Sequence, residues 1–201
     1  VSRITKERGI MGLSQLLSGQ VSMDDVIYHT QFTGLDIIFA GPYPPNPTEL
    51  VGSPAFKELI DAKRDLYDYI IVDCPPSLGM LTMNSLSASD GVVIPMQCEF
   101  YALEGLSQLM ITISKIKSHY NGNLTVTGIL LTMYTNRLLL TQQVKSELKK
   151  HYAEKLFKTA ISRNVRLSEA PGFGTPVYYH DKNSKGTLEY LEVAKELSER
   201  I

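Results

Sequence analysis

The fold is decided by one stretch, Tyr67-Asp68-Tyr69-Ile70-Ile71-Val72-Asp73-Cys74-Pro75-Pro76-Ser77. Its apolar run, residues 69–72, has no polar interruption and is typical of a central parallel strand covered on both faces. The two prolines cannot donate backbone hydrogen bonds, so the pattern predicts that the strand ends at Asp73. The carboxylate of Asp73 is therefore expected at the C-terminal edge of a sheet, where open α/β folds hold their ligands.

Two roles remain open for Asp73 on this spacing alone. In folds that handle phosphate, an acid at this edge orients the Mg²⁺ shell of a nucleotide. An ordinary aspartate at a strand end that caps the following helix gives the same local pattern.

The composition is that of a globular chain of moderate size. With 201 residues, 43% of them hydrophobic, the sequence can bury the core of one α/β domain spanning residues 1–201. Cys74 and Cys98 lie in or beside apolar segments and lack the spacing of metal ligands, which indicates buried thiols in a reducing compartment. No signal peptide and no apolar run of about 18 residues is visible, so we expect a cytoplasmic protein without a transmembrane segment.

The net charge of −1 conceals an uneven distribution. Residues 1–100 hold 6 Lys and Arg against 12 Asp and Glu, whereas residues 137–185 hold 10 against 4. A basic segment within a nearly neutral chain suggests a polyanionic partner. A solvated helix face is the alternative that this count leaves open.

The periodicity predicts strands that alternate with helices. Strands are expected at residues 35–40, 69–73, 91–95, 124–133 and 157–161. Helices are expected at residues 11–17, 53–64, 81–87, 103–117, 141–152, 165–170 and 183–201, with a second short helix starting near Ser22. This alternation predicts a doubly wound, mostly parallel sheet, and no linker or repeat divides it.

Most of the chain, about residues 65–201, closely resembles ParA/Soj-type partition ATPases of the MinD/ParA P-loop superfamily. The resemblance begins with the Walker B-like region Tyr67 to Gly79. It continues through Val93-Ile94-Pro95-Met96-Gln97-Cys98-Glu99-Phe100-Tyr101-Ala102-Leu103-Glu104-Gly105-Leu106, Gly128-Ile129-Leu130-Leu131-Thr132-Met133 and Asn164-Val165-Arg166-Leu167-Ser168-Glu169-Ala170-Pro171. The fold this implies is the P-loop NTPase fold of the MinD/ParA type.

The first third, residues 10–55, resembles bacterial tyrosine kinases of capsular polysaccharide synthesis instead. The resemblance rests on the proline-rich run Ile38-Phe39-Ala40-Gly41-Pro42-Tyr43-Pro44-Pro45-Asn46-Pro47-Thr48-Glu49-Leu50, with Gly12 to Gly19 and Gly52-Ser53. Those kinases belong to the same superfamily, so both resemblances imply one fold.

Both families carry a glycine-rich P-loop at their start, and no Gly-x-x-x-x-Gly-Lys-Ser/Thr occurs in these 201 residues. The backbone amides that would cradle phosphates and the lysine that would neutralise them are therefore not in the sequence. We expect an N-terminally truncated domain without its P-loop strand. Such a chain is either a fragment of an ATPase or a natural remnant that has lost hydrolysis.

The resemblance implies a set of nucleotide contacts. Asp73 would hold Mg²⁺ through an ordered water, and Met133, Ile161, Asn164 and Val165 would surround the adenine of ATP. Ser162 departs from the family, which usually has proline there. Core packing is the alternative role for Met133 and Ile161.

The resemblance also implies partners. Arg137 and Arg166 match positions of the basic surface with which the ATP-bound homodimer of the family holds DNA without reading its sequence, and ordinary surface ion pairs are the alternative. The leading hypothesis is a ParA-like ATPase of chromosome or plasmid partitioning, stimulated by a ParB-like protein. The sequence leaves two other hypotheses open: a tyrosine autokinase of polysaccharide biosynthesis and a non-catalytic interaction module.

Overall fold

The computed structural model describes residues 10–44, 54–75, 77 and 79–201. The chain divides into two compact units, Val1–Ser89 and Asp90–Ile201, which we describe separately. The prediction of a single domain over residues 1–201 stays a prediction. Part of the kinase-like segment, residues 45–53, lies outside the described residues, as do Pro76 and Leu78 of the Walker B-like region.

The described residues form eight helices and four strands. In the first unit they are α1 (Leu13–Leu17), β1 (Tyr28–His29), β2 (Asp36–Ile37), α2 (Pro54–Lys63) and α3 (Met80–Ala88). In the second they are β3 (Gly91–Gln97), α4 (Ala102–His119), β4 (Thr125–Thr132), α5 (Leu139–Tyr152), α6 (Val165–Phe173), α7 (Val177–His180) and α8 (Lys185–Ser198). The predicted helices are present within a few residues, except that residues 22–26 form turns rather than a helix. Strand β1 and helix α7 were not predicted.

The first unit is built around a close contact of two backbone segments. The amide of Leu13, at the start of α1, donates to the carbonyl of Phe39 at 2.7 Å. A Cβ atom on Gly12 would lie 2.3 Å from the nitrogen of Gly41, so only glycine fits at this approach. Around it, Phe56, Leu59 and Ala88 form a buried cluster that links α2 to α3.

The stretch that suggested a central strand, residues 69–73, forms no strand among the described residues. Its start is held by the Tyr67 hydroxyl, which donates to the Asp36 carboxylate of β2 at 2.7 Å. Ile71 is 85% exposed, whereas the sequence predicted burial on both faces. A strand needs a backbone partner, and no backbone hydrogen bond joins residues 69–72 to another described segment. Likewise, only Asp36–Ile37 of the predicted strand 35–40 is paired, antiparallel to β1.

The second unit contains the parallel sheet. β3 and β4 pair in parallel from Gly91 opposite Thr125 to Gln97 opposite Thr132. The predicted strand 157–161 is reduced to two parallel bridges to the far side of β4, Ile129 with Leu156 and Tyr134 with Ser162. Four buried side chains form the core on this side: Leu130, Phe157, Ile161 and Val193.

Helix α8 supports the outer side of residues 154–162, which we call the edge segment. The Glu196 carboxylate accepts hydrogen bonds from the backbone amides of Lys158 and Thr159. The Arg200 guanidinium donates to the carbonyls of residues 154, 155 and 156 and lies 4.3 Å from the Phe157 ring centroid. Glu196 of α8 and Arg200, two residues beyond the end of this helix, thus satisfy backbone groups that a further strand would otherwise pair.

Among the described residues, no helix is both long and apolar enough to cross a bilayer. Cys74 and Cys98 are free and half-buried.

Candidate functional site

The C-terminal ends of β4 and of the edge segment lie side by side. The Ile161 amide donates to the Leu131 carbonyl at 2.8 Å, and the Tyr134 amide donates to the Ile161 carbonyl at 2.9 Å. This parallel pairing brings the residues after β4 next to those after the edge segment. Met133 and the Asn164-Val165 pair therefore share one edge of the sheet, as expected for parallel strands.

The four candidates for adenine contact differ in exposure. Ile161 is buried in the core, which is the packing role that the sequence left open. Met133 and Val165 are 52% and 70% exposed, so both offer apolar surface at the edge. Met133 has a φ of 48°, a left-handed conformation that is strained for a residue with a side chain. Such strain is concentrated at functional positions in proteins.

Asn164 shapes the start of α6. Its side-chain Oδ1 accepts a hydrogen bond from the Arg166 amide at 2.8 Å, which makes Asn164 the N-cap of the helix. An asparagine in this role satisfies one of the free amides of the first turn. This cap uses only the side-chain oxygen of Asn164, so the side-chain NH₂ group can make other contacts at the sheet edge.

Arg137 lies on the loop between β4 and α5. The loop is held by the Gln142 side chain, which donates to the Asn136 carbonyl at 3.1 Å, and by the Tyr134 hydroxyl, which donates to Asn136 Oδ1 at 3.1 Å. Lys145 of α5 places its ammonium 4.9 Å from the Tyr134 ring centroid. The Arg137 side chain is exposed and makes no ion pair with a described residue.

Arg166 is in a different environment. Its guanidinium contacts the Glu169 carboxylate at 2.8 Å and the Asp181 carboxylate at 3.2 Å. The hydrogen bond from Arg166 holds the pKa of Glu169 below its ordinary value. His180 lies 3.6 Å from the same carboxylate and stacks on Phe173. The ion pairs that the sequence offered as the alternative are thus present at Arg166.

Asp73 belongs to the first unit, and its side chain is exposed. The buried Thr82 of α3 donates its hydroxyl to the Ser77 carbonyl at 2.7 Å, which ties the loop after Asp73 to the helix. The Asp73 carboxylate makes no hydrogen bond with a described residue, so its oxygens are free to act as metal ligands.

The family of the chain follows from its sequence relatives. Residues 3–126 match the family described as AAA domain. The chain is 44% identical over 194 residues to the sporulation initiation inhibitor protein Soj of Bacillus subtilis, a match that covers 91% of this chain and 74% of Soj. The chain belongs to the ParA/Soj family.

The match to a second relative covers a smaller share of that relative's length. An uncharacterised protein of Pseudomonas putida is 56% identical over 137 residues, which are 68% of this chain and 52% of that protein.

Solved structures agree with this placement in the MinD/ParA superfamily. The cell division ATPase MinD of Pyrococcus furiosus superimposes with a TM-score of 0.79 at 20% identity, covering 99% of this chain and 80% of MinD. Cobyrinic acid a,c-diamide synthase of Mycobacterium smegmatis, with a bound ATP analogue and magnesium, gives 0.76 at 26% identity, covering 94% and 72%. The fold is therefore the P-loop NTPase fold predicted from the sequence.

The residues present fit part of a Mg²⁺–nucleotide site. A carboxylate oxygen is a ligand type that Mg²⁺ prefers, and Mg²⁺ usually keeps several waters beside one or two carboxylates. Asp73 fits this role, and no group of three or more metal-ligating side chains occurs elsewhere in the described part of the chain.

Several side-chain contacts at the site were not predicted from the sequence. The spacing of three between Arg166 and Glu169 would have suggested their ion pair on a helix. Nothing local indicated the contact with Asp181 or the link between Ser162 and Glu189. These pairs join residues 15 and 27 positions apart, and only the packing of α6, α7 and α8 brings them together.

Proposed function

We propose that this chain is part of a ParA-like ATPase of chromosome partitioning that binds ATP with Mg²⁺, forms a homodimer and holds DNA without sequence preference. The observation that carries the proposal is the edge shared by β4 and the edge segment. It presents two exposed apolar side chains, Met133 and Val165, and the loop that follows β4 carries Arg137, which has no ion-pair partner among the described residues. The 44% identity to Soj supports the same assignment.

In this proposal each residue has a defined role. Met133 and Val165 hold the base, Ile161 supports them from the core, and Asn164 fixes the turn before α6. Asp73 orients Mg²⁺ through a water, and bound Mg²⁺ neutralises charge on the phosphates.

Outside the nucleotide site, Arg137 and Arg166 contact DNA phosphates, and a ParB-like protein stimulates hydrolysis. The protein acts in the cytoplasm at the nucleoid. A plasmid is the alternative cargo, and the resemblance to tyrosine autokinases gains no support from the relatives reported above.

Hydrolysis by the 201 residues alone is expected to be absent. Stabilising the transferring phosphoryl group requires a glycine-rich loop and its lysine, which the sequence does not contain. Phosphate release from MgATP, measured with and without duplex DNA, should stay at the background rate. Turnover at ordinary ATPase rates would show that another part of the chain supplies these groups.

The proposal is tested by DNA binding in a chimaera that supplies a glycine-rich phosphate loop ahead of Val1. Random duplex DNA is titrated at several salt concentrations, with and without MgATP. ATP-dependent binding is expected, and Arg137→Ala should reduce the salt slope by about one unit because one phosphate contact is lost.

The matched control for this test is Lys117→Ala. Lys117 is an exposed cation in the last turn of α4, and that turn lies towards the opposite end of the parallel strands. Binding that does not depend on ATP, or an equal loss in the control, would contradict the proposal.

A further inference from the structure

Ser162 makes an unusual set of hydrogen bonds with α8. Its backbone amide donates to Glu189 Oε2 at 2.7 Å, and its hydroxyl lies 2.8 Å from both carboxylate oxygens of Glu189. The Glu189 side chain is only 16% exposed, and Lys185 Nζ lies 3.5 Å from its Oε1. One carboxylate thus accepts both hydrogens that Ser162 can donate.

The direction of the Ser162 amide explains why a partner is needed. The neighbouring Ile161 pairs through its N–H with Leu131 of β4 and through its carbonyl with Tyr134 just beyond that strand, so the next amide points to the opposite side of the edge segment. Without Glu189 this partly buried amide would have no acceptor among the described residues. A proline at this position, which the family usually has, carries no N–H and would need no acceptor.

Ser162 also begins the connection from the edge segment to α6. Residues 162–165 run from the last bridge with β4 to the first turn of the helix, where Asn164 is the cap. Proline would restrict this backbone through its ring. In this chain the restriction comes instead from hydrogen bonds to a charged group, which are stronger than those between neutral groups.

We propose that Glu189 is a positioning residue that fixes residues 162–165 at the sheet edge by holding Ser162. Through this contact α8 sets the position of Val165 relative to Met133. The inference rests on the proposed function for its consequence, since these residues are the proposed adenine contacts.

Glu196 on the same helix provides a comparison. It holds the amides of Lys158 and Thr159, which lie in the middle of the edge segment rather than at its C-terminal end. Loss of Glu196 should therefore affect stability without a specific effect on residues 162–165.

The first test needs no ligand. Amide hydrogen exchange is measured in the full chain for Glu189→Ala, with Glu189→Gln as a milder variant should the first fail to fold. Exchange at residues 162–165 should accelerate about tenfold or more, as expected when a hydrogen bond to a charged group is removed. The control is Glu192→Ala, an exposed residue of the same helix, which should leave exchange at residues 162–165 unchanged. Unchanged exchange in both Glu189 variants would overturn the inference.

The second test asks whether the effect acts through Ser162. MgATP binding is measured in the chimaera that supplies the glycine-rich loop, for Glu189→Ala, Ser162→Pro and the double variant, and MgGTP binding is the control for recognition of the base. Glu189→Ala should weaken MgATP binding about tenfold when residue 162 is serine and have little effect once it is proline. An equal loss in both backgrounds would contradict positioning through Ser162.

The two tests separate the two proposals. If the chimaera does not bind MgATP, the nucleotide role under the proposed function fails, whereas the exchange measurement still decides whether Glu189 fixes residues 162–165.

Discussion

The resemblance predicted that Arg137 and Arg166 belong to one basic surface, and the fold gives the two side chains different surroundings. Arg166 is held between the Glu169 and Asp181 carboxylates, whereas Arg137 has no ion-pair partner among the described residues. An arginine that neutralises two carboxylates contributes little net positive charge to its neighbourhood. We therefore expect the two arginines to contribute unequally to DNA binding.

The contributions of Arg137 and Arg166 to DNA affinity can be compared in the chimaera by DNA titrations at several salt concentrations. Arg137→Ala should lower affinity more than Arg166→Ala, because Arg166 must first be released from its carboxylates. Glu169→Gln removes one of these carboxylates and should raise affinity. Equal losses for the two arginine variants, with no gain in Glu169→Gln, would mean that the ion pairs do not compete with DNA.

Glu196 makes folding stability dependent on pH. Burial by itself would raise the pKa of Glu196, but the hydrogen bonds from the Lys158 amide, Arg200 and the Thr159 amide together lower it. Because the pKa is lower in the folded chain than in the unfolded one, this stabilisation is fully present above the ordinary glutamate pKa of about 4.3 and is lost as the pH falls through the lower pKa of the folded chain. Glu196→Gln should lower the free energy of unfolding by about 1–3 kcal/mol at pH 7.

The measurement is urea unfolding at several pH values, with Glu192→Gln as the control for the lost charge. The difference between the original chain and Glu196→Gln should shrink towards pH 3. A difference that stays constant from pH 7 to pH 3 would contradict this assignment.

At the scale of elements, the packing of β4 against the edge segment depends on Gly128. A Cβ atom at this position would lie 2.4 Å from Phe157 Cε2 and 3.1 Å from an Arg200 nitrogen. The Phe157 ring contacts the Arg200 guanidinium and belongs to the buried core. It therefore has little freedom to move away from a side chain added at residue 128. The absence of a side chain at residue 128 is thus a condition for this packing.

Gly128→Ala is expected to lower the free energy of unfolding by about 1–3 kcal/mol, as overpacking a filled core does. Urea denaturation measures the effect. Gly122→Ala is the control, since a Cβ atom there meets no other atom within 4 Å, and it should change stability by less than about 0.5 kcal/mol. Equal stability of the two variants would show that the Phe157 ring moves without cost.

At the scale of the whole molecule, the segment around Ile71 exposes apolar side chains on the described part of the first unit. Tyr69 and Ile71 are 55% and 85% exposed, and no described strand pairs with the segment. An unpaired apolar edge is a template for pairing with another chain. The 201-residue chain should therefore self-associate or recruit a strand at this edge.

Ile71→Lys should reduce this self-association, because a charged side chain opposes strand addition at an edge. Light scattering across a concentration series measures it. Leu66→Lys is the matched control, since Leu66 is also exposed but lies in the turn after α2. A chain that remains monomeric before any substitution would refute the expectation.

The sequence alone determined the fold class and the order of most elements of the second unit, whereas β1 of the first unit and α7 were not predicted. Local patterns carry this information: apolar runs marked β3 and β4, and the spacing of three and four residues marked α4 and α5. The resemblance also led to the edge of the sheet that holds Met133 and Val165, because residues after parallel strands meet at one edge.

Only the tertiary structure decided how individual side chains are used. Arg166 pairs with Asp181, and Glu189 holds Ser162, across separations that no local pattern records. The run 69–72 looked like a buried strand because apolar composition predicts burial, yet burial and pairing require neighbours from elsewhere in the chain. Composition and periodicity are properties of a segment, whereas contacts between distant segments exist only once the elements pack.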